Sequence, residues 1–278
     1  MPHDLIAVGD VMLDGSLPAP IAGGRVHGRI ELRVGGSAAG AAIAAARVGA
    51  RAAVVGRVGT DAAGRLVAES LAAAGVEPLL ARDPEEHTGC VVVVGETSVV
   101  ADPGANLRLV PRDLPETLEA GAILVSGYSL LQPGPEAAAR AALERSRTGC
   151  LAVDVASSRL VAAFGRDRFL EATAAAGVLL ANADEARALT GLEPEKAATA
   201  LARRYDVVCV KLGRGGAVAA TGGDIVRAEV QPVDRVDALG AGDAFAGGFL
   251  FSLSRGAALI DALRAGCDTA RAALLDRS

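Results

Sequence analysis

Patterning along the chain predicts an α/β protein: one doubly wound, mostly parallel sheet with helices on both faces, carrying a small β-sheet lid. From Ala122 onward, apolar runs at Ala122–Ser126, Leu151–Val155, Val178–Ala181 and Val207–Lys211 alternate with helical stretches such as Glu136–Arg145 and Ala197–Arg204. That alternation is the signature of βαβ units. Two β-rich excursions, at about 15–34 and 85–104, fall outside it. With 278 residues, 51% hydrophobic and 22% charged, the chain suffices for one large core and excludes disorder as its main state. A single domain over residues 1–278, with lid insertions at the two excursions, is expected.

Each element has a local reason. Leu5–Val8 is a short apolar run ending in Gly9-Asp10, a buried strand entering a loop. Val26–Val34 alternates apolar and polar residues, which suits a half-exposed strand pair. Gly35-Gly36 introduces an Ala-rich helix from Ser37 to Val48. Ala52–Val58 reads as a strand, and Asp61 begins a helix that runs to about Ala74 and stops at Gly75. Val91–Val94 and Ser98–Ala101 flank Gly95-Glu96-Thr97 as a hairpin. Ile225–Val230 reads as an edge strand, and helices at Gly242–Leu253 and about Leu259–Leu275 close the chain. Two separate β insertions are best explained as pairing with each other. A sheet so formed over the strand ends acts as a lid, because ligands of open α/β sheets bind outside the carboxyl ends of the strands.

Composition excludes several functions. A net charge of −5 and a pI near 5.3 argue against a nucleic-acid surface. Trp is absent and aromatics total 3%, so base-stacking platforms are not expected. Cys90, Cys150, Cys209 and Cys267 form no C-x-x-C pair and read as small buried hydrophobes of a reducing compartment. The first residues lack a basic and apolar leader, and no apolar stretch is long enough to span a bilayer. A cytoplasmic protein without membrane or nucleic-acid partners is expected. The only lysines are Lys196 and Lys211, so each carries more information than usual.

The most informative segment is Asp237-Ala238-Leu239-Gly240-Ala241-Gly242-Asp243-Ala244-Phe245. Gly240, Ala241 and Gly242 leave backbone N–H groups unobstructed where a helix begins, which makes an anion site. Asp243, placed beside a phosphate there, is ionised and serves as a general base. The plain structural reading is a capped helix after a turn. A Rossmann loop fits poorly, because Phe245 stands where a third Gly or Ala belongs, and no P-loop motif occurs. Asn182 and Glu185 follow a buried strand at a helix start, and are otherwise a helix cap with an exposed Glu. Gly213 and Gly216 follow the Val207–Lys211 strand, and are otherwise a hairpin turn. Asp10 and Asp14 lie just past the first strand and need solvent or a polar ligand; an Asx turn is the plain alternative for Asp14.

In order along the chain, five segments resemble the motifs of the ribokinase-like (PfkB) family of carbohydrate kinases. Gly35-Gly36-Ser37-Ala38-Ala39 resembles its Gly-Gly sugar-binding motif, and Gly59 to Gly64 its G-x-D-x-x-G segment. Asn182 to Glu185 resembles its N-x-x-E motif, Lys211 to Gly216 its nucleotide loop, and Asp237 to Asp243 its D-T-x-G-A-G-D signature. The β insertions fall where the family has its lid. The resemblance implies ATP-dependent phosphoryl transfer to a sugar hydroxyl, with Asp243 as base and the Gly240–Asp243 backbone as anion hole. It assigns Asn182 and Glu185 to Mg²⁺ through water, Lys211, Gly213 and Gly216 to the nucleotide, and Asp14, Gly35 and Gly36 to the sugar.

Departures narrow what carries over. Ala238 and Leu239 stand where Thr or Asn is common, Lys211 where Thr is common, and Gly40 where the family's sugar-contacting Asn belongs. The chain stops soon after its last helix, without the R-x-G-A-type tail that supplies part of a monovalent-cation site, so a K⁺ requirement stays open. A nucleoside kinase is the alternative; the lid segments hold no Phe, Tyr or Trp to stack on a base, which favours a sugar. Arg25, Arg29 and Arg33 lie in or near the lid and raise a sugar-phosphate substrate, though they otherwise solvate an exposed sheet. A catalytically silent ligand-binding relative is the non-enzyme alternative, opposed by the intact Gly-Ala-Gly-Asp segment. Val26, Ile30, Leu32 and Val34 share one side of the lid. That apolar side either joins a second lid in a homodimer or packs on the sugar and the main domain in a monomer.

Overall fold

The computed structural model describes residues 3–17, 27, 30–94, 98–231, 233 and 239–276. The chain runs through β1 (His3–Val8), β2 (Met12–Leu17), β3 (Glu31–Gly35), α1 (Ser37–Arg47), β4 (Ala52–Gly59), α2 (Ala62–Ala73) and β5 (Val76–Asp83). Next come β6 (Thr88–Val94), β7 (Ser98–Gly104), β8 (Leu118–Ser126), α3 (Gly127–Leu130), α4 (Glu136–Arg145), β9 (Ser146–Arg147) and β10 (Leu151–Asp154). They are followed by α5 (Ser158–Phe164), α6 (Arg166–Ala172), β11 (Val178–Asn182), α7 (Ala183–Thr190), α8 (Pro194–Leu201) and β12 (Val207–Lys211). The hairpin strands β13 (Ala217–Ala220) and β14 (Ile225–Ala228) precede α9 (Ala241–Ser254) and α10 (Leu259–Leu275).

Among the described residues, ten strands form the main sheet, in the order β14-β13-β12-β11-β10-β8-β1-β4-β5, with β9 attached to β8. Every pairing is parallel except those of β13, which runs against both of its neighbours. Apolar residues occupy both faces of the strands because both faces are covered. On β1, Ile6 and Val8 join a core with Ile123, Val153 and Phe169, while Leu5 and Ala7 join the opposite core with Leu124, Phe249 and Leu263. The second core is thin and Ala-rich, so α1 and α9 approach closely: a Cβ on Gly247 would lie 2.9 Å from the backbone nitrogen of Ala45.

After β1 the chain fills the β4–β5 side of the sheet and then returns to β8 on the other side. This reversal at β1 makes the topological switch point at which ligands of such sheets bind.

The two excursions meet in a separate four-stranded sheet ordered β3-β2-β6-β7. Its middle pair, β2 and β6, is parallel, and the outer pairs are antiparallel. The first excursion joins this sheet from Met12, so Asp14 stands within a lid strand and not in an Asx turn. Most of 18–29, including Arg25, Val26 and Arg29, and the hairpin tip at 95–97 lie outside the described residues. The lid is rooted at Asp61, whose carboxylate caps α2 through Gly64 N–H at 2.8 Å. The same carboxylate accepts from Thr88 N–H at 2.9 Å and from its Oγ1 at 2.6 Å.

Register decides which lid face meets the cleft. Asp14 pairs with Arg33 and Val91, and Val91 with Ala101; all four line the cleft. On the opposite face, Leu13 and Val34 pack against the main core, and Leu32 and Val100 farther out are 61% and 67% exposed; Leu32 and Val34 also reach the cleft margin. The charged face therefore turns inward. Arg33 is half-buried on the cleft side, donating to Ser16 Oγ at 3.1 Å, which corrects its reading as a solvating residue of an exposed sheet.

Candidate active site

The switch point collects polar side chains at the carboxyl ends of adjacent strands. Asp10 follows β1, Ser126 ends β8, Asp154 ends β10, Asn182 ends β11 and Lys211 ends β12. A cleft of about 1050 Å³ opens above them, with the lid as its other wall. That volume matches the upper end of small-molecule sites.

Gly240 takes a left-handed conformation (φ 73°) as the N-cap of α9, and Ala241, Gly242 and Asp243 make the first turn. Gly240, Gly242 and Asp243 line the cleft, so the N–H groups of this first turn and the helix dipole favour an anion there. Asp237 and Ala238 lie outside the described residues. Asp243 accepts from Ser37 Oγ at 2.8 Å. Its removal from water pushes the carboxyl up to about 7, the Asp154 charge pushes the same way, and Lys211 and the Ser37 hydroxyl oppose both.

Lys211 donates from Nζ to Asp154 Oδ2 at 2.7 Å. A Cβ on Gly242 would lie 3.5 Å from that Nζ, so the ammonium sits against the first turn of α9. Burial alone would lower its pKa, but the charges of Asp154 and Glu185 carry it to about 12.

Asn182 and Glu185 form a reciprocal capping box on α7. Asn182 Oδ1 accepts from Glu185 N–H at 2.9 Å, and Glu185 Oε2 accepts from Asn182 N–H at 2.8 Å. The cap is realised, but Glu185 is buried and not exposed. Burial, and then the Asp154 charge, push its carboxyl up to about 7. Both residues line the cleft. Asp154 Oδ1 is buried without a hydrogen-bond partner among the described residues. An orphaned carboxylate oxygen beside Glu185 suits a cation such as Mg²⁺. Among the described residues, no three His, Cys, Asp or Glu side chains are grouped for direct metal ligation.

At the lid end, Asp14, Gly35 and Gly36 all line the cleft. Gly36 has φ +91°, and a Cβ there would overlap the carbonyl oxygen of Asp10, so this turn into α1 requires glycine. Gly213 and Gly216 do not join the lining; they turn β12 into β13, with Leu212 N–H donating to Gly216 O at 2.8 Å. Of the expected nucleotide residues, Lys211 alone reaches the cleft among the described residues.

Asp154, Ser37 and Tyr128 are among the cleft residues to which the sequence assigns no individual role. Asp154 ends the apolar run Leu-Ala-Val-Asp, and an acid at the end of a buried parallel strand was the available signal. Ser37 falls in the Gly-Gly motif and opens a helix, but neither reading gives its hydroxyl a role. Tyr128, at the start of α3, is an aromatic wall supplied from outside the lid.

Raised carboxyl pKa values fix how stability depends on pH. Asp243 and Glu185 contribute most stability below their ordinary pKa near 4, and lose it as pH rises through about 7. Asp243→Asn removes one of these charges. At pH 8.5 its Tm should exceed that of the unmutated protein by at least about 3 °C, and the difference should shrink towards pH 4.5. A lower Tm for the variant at pH 8.5 would contradict the placement of this carboxyl.

Comparison with known proteins agrees with this geometry. The family model of the pfkB family carbohydrate kinases matches residues 2–278. Aminoimidazole riboside kinase of Salmonella typhimurium is 30% identical over 235 residues, covering 80% of this chain and 74% of that protein. ATP-dependent ribose-1-phosphate kinase of Halopiger xanaduensis is 35% identical over 222 residues, covering 78% and 72%. Adenosine kinase from Sinorhizobium meliloti superposes with a TM-score of 0.87 at 25% identity, covering 98% of this chain and 93% of that one. From the motifs, the sheet with its separate lid, and a match over nearly its whole length, the chain belongs to the pfkB family of carbohydrate kinases.

Proposed function

We propose that this chain is an ATP-dependent sugar kinase that moves the γ-phosphoryl group of ATP onto a sugar hydroxyl. The observation that carries the reading is Asp243, a carboxyl half-enclosed in the first turn of α9 at the cleft wall, within reach of the buried Lys211 charge. A carboxyl poised near neutral pH is suited to accept the hydroxyl proton. The N–H groups of Gly240–Asp243 face the transferring phosphoryl, and the Lys211 ammonium behind them adds positive charge where negative charge develops. Mg²⁺, when bound, neutralises phosphate charge; Asn182 and Glu185, with Asp154 beside them, would hold it. Asp14 on β2 faces the cleft from the lid as an acceptor for sugar hydroxyls, with Gly35 and Gly36 beneath it. Gly213 and Gly216 turn β12 into β13 outside the cleft lining and bear on the nucleotide end only through the neighbouring Lys211. ATP as donor suits a cytoplasmic location.

A nucleoside acceptor is the second reading, favoured by Tyr128, whose ring borders the cleft and is 38% exposed. ADP release with ribose, fructose, ribose 1-phosphate, adenosine, cytidine and aminoimidazole riboside separates the readings. A free sugar should give the highest kcat/KM; preference for a nucleoside would transfer the function to the second reading. Ligand-induced melting shifts without ADP release from any acceptor would identify a silent binding relative. With the preferred acceptor, Asp243→Asn should lower kcat at least about 100-fold while ATP binding is retained; near-normal turnover removes the base role.

The lid supports a homodimer. Ile30 and Leu32 are 63% and 61% exposed on a sheet of only four strands, and such a face is stabilised by cover. We expect the unmutated protein to sediment as a dimer at micromolar concentration and Ile30→Asp to sediment near 27.8 kDa. A monomer before mutation would count against the second lid as cover.

A further inference from the structure

Ser37 opens α1 yet does not cap it: the N-cap is Gly36, without a side-chain bond to the helix. A serine in a first turn ordinarily bonds to nearby backbone. Here its Oγ crosses to another helix and donates to Asp243 Oδ1 at 2.8 Å, between residues 206 apart in sequence. Its placement is fixed from behind. Ser37 N–H donates to Asp10 Oδ2 at 2.7 Å, and Asp10 Oδ1 accepts from Ser126 Oγ at 2.6 Å. Ser37, Asp10 and Ser126 are all buried.

One turn along α1, Gly40 meets the same carboxyl. A Cβ there would lie 2.9 Å from Asp243 Cβ and 3.2 Å from Oδ2. With Oδ1 occupied by Ser37, Oδ2 is the oxygen that lies beside Gly40, where the missing side chain lets α1 approach the carboxyl closely.

We propose that Ser37 is a positioning residue, which fixes Asp243 so that Oδ2, on the Gly40 side, receives the proton of the phosphoryl acceptor. This rests on the reading of Asp243 as the base. In the step itself, the acceptor oxygen bonds to the γ-phosphorus, and the bond from phosphorus to the bridging oxygen breaks. That electron pair leaves on ADP, the acceptor proton moves to Oδ2, and Ser37 keeps its own proton throughout. Among the described residues, the titratable groups that act on Asp243 are Asp10 beyond β1, Asp154 at the end of β10, Lys211 at the end of β12 and Tyr128 on α3. All four are unchanged in the Ser37 variants. The Ser37 hydroxyl is among the groups that hold the Asp243 carboxyl down against the loss of solvent.

The test needs no known acceptor. Aspartate carboxyls labelled with ¹³C are titrated by NMR in the unmutated protein, Ser37→Ala and Ser37→Thr, with Asp243→Asn assigning the resonance. In Ser37→Ala the Asp243 midpoint should move to higher pH, and in Ser37→Thr it should stay at the unmutated value. With any acceptor that supports ADP release, Ser37→Ala should lose about tenfold in kcat at pH 6 and less than about threefold at pH 9, as removal of a hydrogen bond to an ionised base requires. The KM for ATP should stay within about twofold. An unmoved Asp243 midpoint in folded Ser37→Ala, or equal losses at pH 6 and pH 9, overturns the proposal while leaving the base reading intact. Normal turnover by Asp243→Asn overturns the base reading and the proposal with it.

Discussion

The buried ammonium of Lys211 is the charge on which the cleft depends. Asp154, Glu185 and Asp243 all act on it electrostatically, and Asp154 holds it at 2.7 Å. Three carboxyls brought so near one another and out of water would otherwise repel and protonate. The ammonium does not cancel them: Asp243 and Glu185 still stand near 7. That residual excess of negative charge is one that a bound cation would relieve. The sheet supplies the geometry, because adjacent parallel strands end side by side and place Asp154, Asn182 and Lys211 in one row.

The α9 end of the site was the most legible in the sequence. Gly-Ala-Gly-Asp before a helix has a direct physical meaning, and the structure puts Asp243 in that first turn at the cleft wall. Strand alternation likewise fixed the main sheet, because a strand buried on both faces has little choice of residue. Asp154 was hidden for the same reason: inside the run Leu151–Val155, read for burial, one acid is absorbed into the strand. Ser37 was hidden because a serine beside glycines reads as local structure, and its partner lies at the far end of the chain. Alternation in the lid separated Arg33 from Leu32 and Val34, but which side turns inward depends on tertiary contact with the core and was not in the pattern.

Glycine at position 40 links packing to acceptor choice. At Gly40 this chain brings the backbone of α1 up to Asp243. The lid and the wall opposite carry polar side chains that border the cleft: Asp14, Arg33, Tyr128 and Gln132. Asn106 borders it too, but its amide is committed to Val11 and Pro103.

The parallel pairing of β2 with β6 has a consequence for how the molecule assembles. Leu13 lies beside Cys90, and α1, β4, α2 and β5 all intervene in the chain. A parallel pair cannot close through a turn, so these two strands meet only after the intervening units have docked on β1. The entropy of closing that long loop is met by the main sheet, not by the lid. The lid sheet is thus a late-forming unit held to an already folded base at Asp61 and Thr88, and on partial unfolding it is the part that can detach while the wall of strand ends remains in place.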